Sequence, residues 1–225
     1  MPGWSIERAN RMGAEWLSTQ PGHKLVLVSS IQNYRQNDIA RYTQDAVVTR
    51  PVDLWKTDWR IGPVLAPWPT EEILGYLSAR MERATTICVI EWGEDPFQTA
   101  WLQAHGALSV IDGSPYPGLG AYLLDPVIEA AMTELGQIVN HTNALVGVYD
   151  KEDAVSTLQT LSGSGYRWNT DKLCAWALAH GFTDSEERNL RDYSEKVLSG
   201  HRFRLKYRRS EKPGAVERWR GSASG

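Results

Sequence analysis

Ile61-Gly62-Pro63-Val64-Leu65-Ala66-Pro67-Trp68-Pro69-Thr70 leads into Glu71-Glu72-Ile73-Leu74-Gly75-Tyr76-Leu77-Ser78-Ala79-Arg80-Met81-Glu82-Arg83, and Thr86-Ile87-Cys88-Val89-Ile90-Glu91 closes the stretch. Both outer pieces are short, continuously apolar and bounded by turn residues. The middle repeats its apolar residues at Ile73, Leu74, Leu77 and Met81, the recurrence of one helix face. The stretch therefore reads as strand, helix, strand. Strands apolar on both faces belong in a covered parallel sheet, and two parallel strands need a crossover helix of about this length to join them.

The sequence on either side extends the same grammar. Ser5 to Thr19 carries Ile6, Ala9, Met12, Trp16 and Leu17 on one side of an amphipathic helix that ends at Pro21-Gly22. Lys24 to Ser29 is a first strand, Ile31 to Gln36 a polar stretch, Asp38 to Tyr42 a helical turn, and Ala46 to Thr49 a second strand stopped by Arg50-Pro51. Residues 52 to 60 fit neither period and read as a loop holding two tryptophans. Past the central unit, Asp95 and Pro96 open a helix that Gly106 closes, and Leu108 to Asp112 reads as a further strand.

Ser114 to Gly120 is a Pro/Gly-rich break, after which only helices are expected. Their starts are Asp125-Pro126, Asp150, Asn169 or Thr170, and the capping box Thr183-Asp184-Ser185-Glu186. The expected fold class is α/β: a small doubly wound, mostly parallel, Rossmann-like sheet domain over residues 1–120. A helical bundle over 121–200 and a partly disordered basic tail over 201–225 complete it.

Composition narrows the function classes. With 42% hydrophobic and 23% charged residues in 225, an ordinary globular core is expected. No run approaches the roughly 18 apolar residues of a membrane span, and the first residues lack the apolar core of a signal peptide, so the expected compartment is the cytoplasm, with no membrane partner. Cys88 and Cys174 have neither disulfide-framework nor metal spacing and read as buried thiols. The turn after the first strand has no glycine and no phosphate-loop motif occurs, so an NAD or ATP enzyme is disfavoured and no cofactor is expected. The five histidines show no metal-ligand spacing. His105 and His180 each precede a glycine and read as helix-end caps.

In doubly wound sheets ligands bind outside the carboxyl ends of the strands. Those ends supply Ser30, Trp68, Thr70 and Trp92 as candidate ligand-binding residues. They also supply Glu91 and Asp112, two carboxylates that adjacent strand ends would bring to one metal ion or set as acid and base, the arrangement of a metal-dependent hydrolase or nuclease. The competing reading makes each a helix cap or a solvated carboxylate.

Around Gly181 two helices meet at a short turn, and Trp176-Ala177-Leu178-Ala179-His180-Gly181-Phe182 resembles the C-terminal DNA-binding helices of actinobacterial nucleoid silencers. The Arg-Gly-Arg minor-groove reader of those proteins is absent, and Asp184, Glu186 and Glu187 would face the phosphates, so the turn reads as helix packing. The tail speaks for nucleic acid more directly. From His201 on, eight Lys or Arg stand against two Glu, a net +6, so the preceding residues carry −9 of the overall −3. Arg202, Arg204, Lys206, Arg208 and Arg209 interleave with Phe203 and Tyr207, as in a cationic strand that meets phosphates and stacks bases, or in a plain edge strand with a solvated basic face. The function expected is a non-enzymatic binding protein contacting nucleic acid or an acidic protein surface through the helical domain and tail. The alternatives are the hydrolase and an interaction scaffold without a small ligand.

Overall fold

The computed structural model describes residues 5–80, 83–91, 93, 95–116, 123–206 and 214–224. The chain divides into two compact units, Met1–Thr99 with Leu108–Tyr116, and Ala100–Ala107 with Pro117–Gly225.

The first unit is an α/β layer structure. Helix α1 (Ile6–Thr19) is capped by Ser5, whose hydroxyl accepts from the Arg8 amide. Strand β1 (Leu25–Leu27) follows, then α2 (Ile31–Gln36), α3 (Ile39–Tyr42), β2 (Val47–Thr49), a 3-10 helix (Pro51–Lys56), β3 (Gly62–Pro67), α4 (Glu71–Arg80), β4 (Ala84–Ile90) and α5 (Pro96–Ala104). The four strands are all parallel, in the order β2-β1-β3-β4. The central quoted stretch is therefore a β-α-β unit.

Burial tracks position in the sheet. The two inner strands, β1 and β3, are buried along their whole length, whereas the outer strands are only partly covered. The chain steps from β1 to β2 in one direction and from β3 to β4 in the other. Crossovers being right-handed, opposite directions of travel put α4 on the face opposite α2 and α3. On the α1 side, Leu17, Val26, Tyr34, Ile39, Leu65 and Ile90 form one core cluster.

Three local expectations are corrected. The polar stretch after β1 is α2, because Ser30 caps it by accepting from the Asn33 amide and Tyr34 gives it a buried anchor. Residues 51–56 are helical, not loop, with Pro51 at the first turn and Asp53 paired to Arg50 and Lys56. Leu108 to Asp112 is not a strand. The Ser109 amide donates to the Ser114 carbonyl at 2.8 Å, the Gly113 amide to the Ser109 carbonyl at 2.9 Å, and Gly113 takes a positive φ of 69°. These local turn bonds outcompete sheet pairing, leaving one isolated antiparallel bridge, Leu108 to Pro115, with Leu108, Val110 and Ile111 exposed.

The second unit is helical: α6 (Pro126–Ile138), α7 (Val148–Gly163), α8 (Thr170–Ala179), α9 (Asp184–Leu198) and α10 (Ala215–Ala223), together with the last turns of α5. Asp125, Asn169 and the Thr183–Glu186 capping box stand at helix starts as the sequence implies. Asp150 does not cap α7, which begins two residues earlier. Its carboxylate is buried and accepts from the Asn140 amide at 2.9 Å and from the Asn143 side chain, tying down the preceding loop. Ile128, Met132, Leu135, Leu158, Leu173 and Leu190 sit at the centre of its core.

Past Arg209, where the composition reads as disorder, Ala215–Ala223 forms α10. Ala215, Val216 and Trp219 form a short buried stripe on α10, which packs on α6, and the Trp219 indole donates to Glu134 at 2.9 Å. The apolar stripe is only three residues long, which is why polar composition masked it.

Candidate functional site

Among the described strands, the order reverses between β1 and β3, and a crevice of about 400 Å3 opens there beyond the carboxyl ends of both. That volume lies within the range of small-ligand sites. The end of β1 contributes Val28, Ser29 and Ser30. From α2 and the residue after it come Asn33, Tyr34, Gln36 and Asn37, and from the end of β3 come Pro67 and Trp68.

Each group has a traceable reason to be where it is. Asn33, Gln36 and Asn37 are spaced i, i+3, i+4, so one side of α2 and its C-cap carries three primary amides. Asn10, fully buried on α1, donates through Nδ2 to Asp38 at 2.6 Å and to Asn37 Oδ1 at 2.9 Å. A carboxylate only accepts, so Asp38 sets the Asn10 amide, which in turn holds the Asn37 oxygen and fixes that side chain. Thr43 donates its hydroxyl proton to the Ile39 carbonyl at 2.9 Å, so Tyr34 must be the donor in its 2.7 Å bond to Thr43. Tyr34 thus offers the crevice its ring rather than its hydroxyl. Ser30 accepts from the Asn33 amide and keeps its own proton to donate.

Trp68 is the strained member. Its φ is 51°, a left-handed conformation that costs a residue with a side chain roughly 1–3 kcal/mol, and it precedes Pro69, which disfavours helical backbone further. Bonds on both sides hold it: its amide donates to the Ile90 carbonyl at 2.8 Å, and Gln98 Nε2 donates to the Pro69 carbonyl at 2.8 Å. Backbone strain of this kind is concentrated at functional sites, because only a surrounding frame that over-determines it lets it persist.

The strand-end candidates from the sequence divide. Ser30 and Trp68 line the crevice. Thr70 is exposed, its carbonyl accepting from the Leu74 amide in the first turn of α4, and is not among the lining residues. Trp92 lies outside the described residues. Glu91 follows β4 and accepts from the Tyr116 hydroxyl, while Asp112 sits on the 109–114 turn, accepting from the Ser114 amide at 3.0 Å and its hydroxyl at 2.7 Å. Ser114 holds the Asp112 carboxyl below its ordinary range, and burial together with Glu91 pushes the Tyr116 hydroxyl up to about 12. Asp112 is thus not at a strand end, the premise of the paired-carboxylate reading. Among the described residues no three His, Cys, Asp or Glu are grouped to hold a metal ion. The residues that the sequence did not single out are Asn33, Gln36 and Asn37. Their i, i+3, i+4 spacing directly after the first strand was the available signal.

In the helical unit two of the three carboxylates that open α9 are withdrawn from solvent, while the Asp184 side chain stays 47% exposed. Glu186 is fully buried and Glu187 nearly so. Glu186 accepts from the Thr183 amide at 2.7 Å and approaches His141 Nδ1 at 2.9 Å, and Glu187 pairs with Arg191 at 3.0 Å. His141 Nε2 meets the Gly136 carbonyl at 3.0 Å. Acceptors at both ring nitrogens favour the protonated imidazole over the neutral one. Burial alone would lower its pKa, but Glu186 and the Gly136 carbonyl outweigh that and raise it.

His180 fits its role as a helix-end cap, donating from Nδ1 to the Trp176 carbonyl at 2.7 Å with its ring stacked on that tryptophan at 3.8 Å. His105 packs against Trp101 at 4.1 Å, and burial and the charge of His180 push its pKa down to about 4. Burial pushes the Cys88 thiol up to about 12 and the Cys174 thiol well above its usual range, so neither is a ready nucleophile.

The tail from His201 to Lys206 is not a strand. It keeps the period of two: Phe203 and Leu205 pack against the helical core, while Arg202, Arg204 and Lys206 are exposed. The Lys206 amide donates to the buried Glu152 carboxylate at 2.5 Å, and the Phe203 ring meets Tyr193 edge-on at 6.0 Å. Phe203 is therefore engaged within its own unit. Arg208 and Arg209 lie outside the described residues. No helix among the described residues is long and apolar enough to cross a membrane.

Residues 124–220, less than half of the chain, match the model of a family described as a domain of unknown function, DUF1889. The match begins one residue before the cap of α6 and ends within α10, so it falls on the helical unit. No curated protein and no solved structure gives a match.

Proposed function

We propose that the chain is a non-enzymatic binding protein whose α/β unit takes a small ligand in the crevice between β1 and β3. The observation that carries this is the lining itself: nine residues at the switch point, all without formal charge, and none an acid, base or thiol that titrates near neutrality. A site of that composition holds and orients, whereas proton transfer needs a titrating group, and activation of the Ser29 or Ser30 hydroxyl as a nucleophile needs a base, that the lining does not offer. The strained Trp68 on its wall supports the same reading.

The test is a thermal-shift screen of small metabolites on the wild type and on Ser29→Trp. Ser29 is exposed and caps no helix, so the added indole plugs the crevice without a core cost. A ligand at a hundred times its dissociation constant stabilises by about 2.7 kcal/mol, several degrees in Tm for a chain of this size. Ligands that stabilise the wild type and not the variant are the expected result, and an equal response of the two proteins would end the crevice reading.

A second reading is favoured by the exposed Arg202 and Arg204, which the docking of Phe203 and Leu205 leaves facing solvent. They suit a phosphate backbone or another acidic surface. Anisotropy with labelled single-stranded oligonucleotides across a salt series tests it: Arg202→Gln with Arg204→Gln should flatten the slope by about 0.7 for each phosphate no longer neutralised. Absence of binding by the wild type at low salt would dismiss it.

A further inference from the structure

We propose that the crevice selects an uncharged planar heterocycle, a nucleobase presented as the free base or nucleoside, and rejects the part of a nucleotide that carries phosphate. The inference rests on the crevice being a ligand site and adds the class of ligand. Three independent features of the lining converge on it.

The first is charge. Among the described residues no Lys, Arg or His lines the crevice, and α2 is too short to act as an anion-binding helix. A phosphate or carboxylate placed inside would lose its hydration with no counter-charge to replace it, and a buried unpaired ion is costly. An ammonium group would meet no carboxylate there, only amide oxygens and the faces of Trp68 and Tyr34. The ligand atoms inside the crevice are therefore neutral.

The second is shape. Trp68, half-buried and held by the hydrogen bonds from its amide to Ile90 and from Gln98 to Pro69 in a backbone conformation it would not choose alone, gives the crevice an indole wall, and Tyr34, with its hydroxyl turned to Thr43, gives it a second aromatic ring. Rigid aromatic walls favour a flat partner, since every nucleobase has a π face on which stacking contributes about 1–3 kcal/mol.

The third is hydrogen bonding. Asn33 and Gln36 each carry a coplanar acceptor and donor pair, and Asn37, its oxygen engaged by Asn10, keeps two Nδ2 protons to donate. Primary amides match the adjacent donor and acceptor atoms of a base edge, as in bidentate contacts of Asn or Gln with adenine. The hydroxyls of Ser29 and Ser30 add two donors that swing to suit the ligand. A saturated neutral sugar would use the hydroxyls and amides but offers no planar face, so the two aromatic rings favour the base.

The experiment is isothermal titration of the full chain with each of the four ribonucleosides, their 5′-monophosphates and glucose. The expected result is saturable binding of at least one nucleoside, at least tenfold weaker binding of its monophosphate, and none of glucose. Asn33→Ala and Gln36→Ala, both at exposed positions, should each weaken that nucleoside about fivefold with an unchanged Tm, the loss of about one hydrogen bond. Tighter binding of the monophosphate would overturn the proposal by showing a charge-recognising site. Binding of glucose without any nucleoside would overturn the ligand class while keeping the crevice as a site. Failure of all nine probes would overturn the class too, and the metabolite screen with Ser29→Trp then decides separately whether the crevice binds anything.

Discussion

Gly62→Ala is the sharpest single test of the frame that sets β1 beside β3. A Cβ built on Gly62 would lie 2.0 Å from the His23 carbonyl oxygen, 3.0 Å from its carbon and 3.2 Å from its nitrogen. All three are backbone atoms, so no side chain can swing away. An ordinary C···O approach is about 3.3 Å or more, so β3 and the chain entering β1 must separate by about 1.3 Å. The same carbonyl accepts from the Trp59 indole at 2.9 Å, and the adjoining register pairs Leu25 with Val64 and Val26 with Leu65. Overpacking at this scale costs about 3 kcal/mol, and loss of the indole bond adds about 1. At about 2–4 °C per kcal/mol for a chain of this size, Tm should fall by about 10 °C. Thermal melts followed by near-ultraviolet circular dichroism measure it. Gly163→Ala, on the last residue of α7 with nothing within 4 Å of the new methyl, is the control and should be neutral or slightly stabilising. If Gly62→Ala melts within 2 °C of the wild type, the close approach of the two chain segments is wrong, and with it the crevice geometry.

Three further outcomes are expected. His141 has a raised pKa in the folded state, so its link to Glu186 contributes stability in full below about pH 6.5 and loses it as pH rises through the folded-state value. Urea midpoints of the wild type and His141→Gln should therefore differ most in mild acid and converge in alkali, and a gap that widens with pH would contradict the cationic pair. Arg191→Met, which strands the buried Glu187 and unpairs Asp171 at 2.6 Å, should cost about 3 kcal/mol by denaturant titration, whereas Lys196→Met on an exposed pair should cost less than about 0.5. Equal losses would show that burial does not govern these ion pairs. Finally, a piece spanning 123–225 should give a helical circular-dichroism spectrum and a cooperative melt, since it holds α6 to α10 and contains the family match; a coil spectrum would mean that the helices need the rest of the chain.

What the sequence by itself determined was the part carried by long apolar runs, a clear helical period and most of the side-chain caps. Continuous apolar runs bounded by proline and glycine made β3 and β4 legible, the Ile73-Leu74-Leu77 spacing made α4 legible, and side-chain caps at Asp125, Asn169 and Thr183 marked helix starts, because each signal acts within a few residues. Ser30 and Trp68 followed from the rule that strand ends hold sites. Tertiary structure alone decided the strand order, and with it which strand ends meet. It made Asn33, Gln36 and Asn37 neighbours of Trp68, residues that no local pattern joins. It also decided burial: Glu186 on α9, part of what reads as an acidic face in the sequence, is sequestered by His141 from the loop after α6, while Asp184 two residues earlier stays 47% exposed. Leu108 to Ile111 shows the converse, an apolar run that stays outside the sheet because turn bonds within 109–114 take up its backbone groups in place of a ladder.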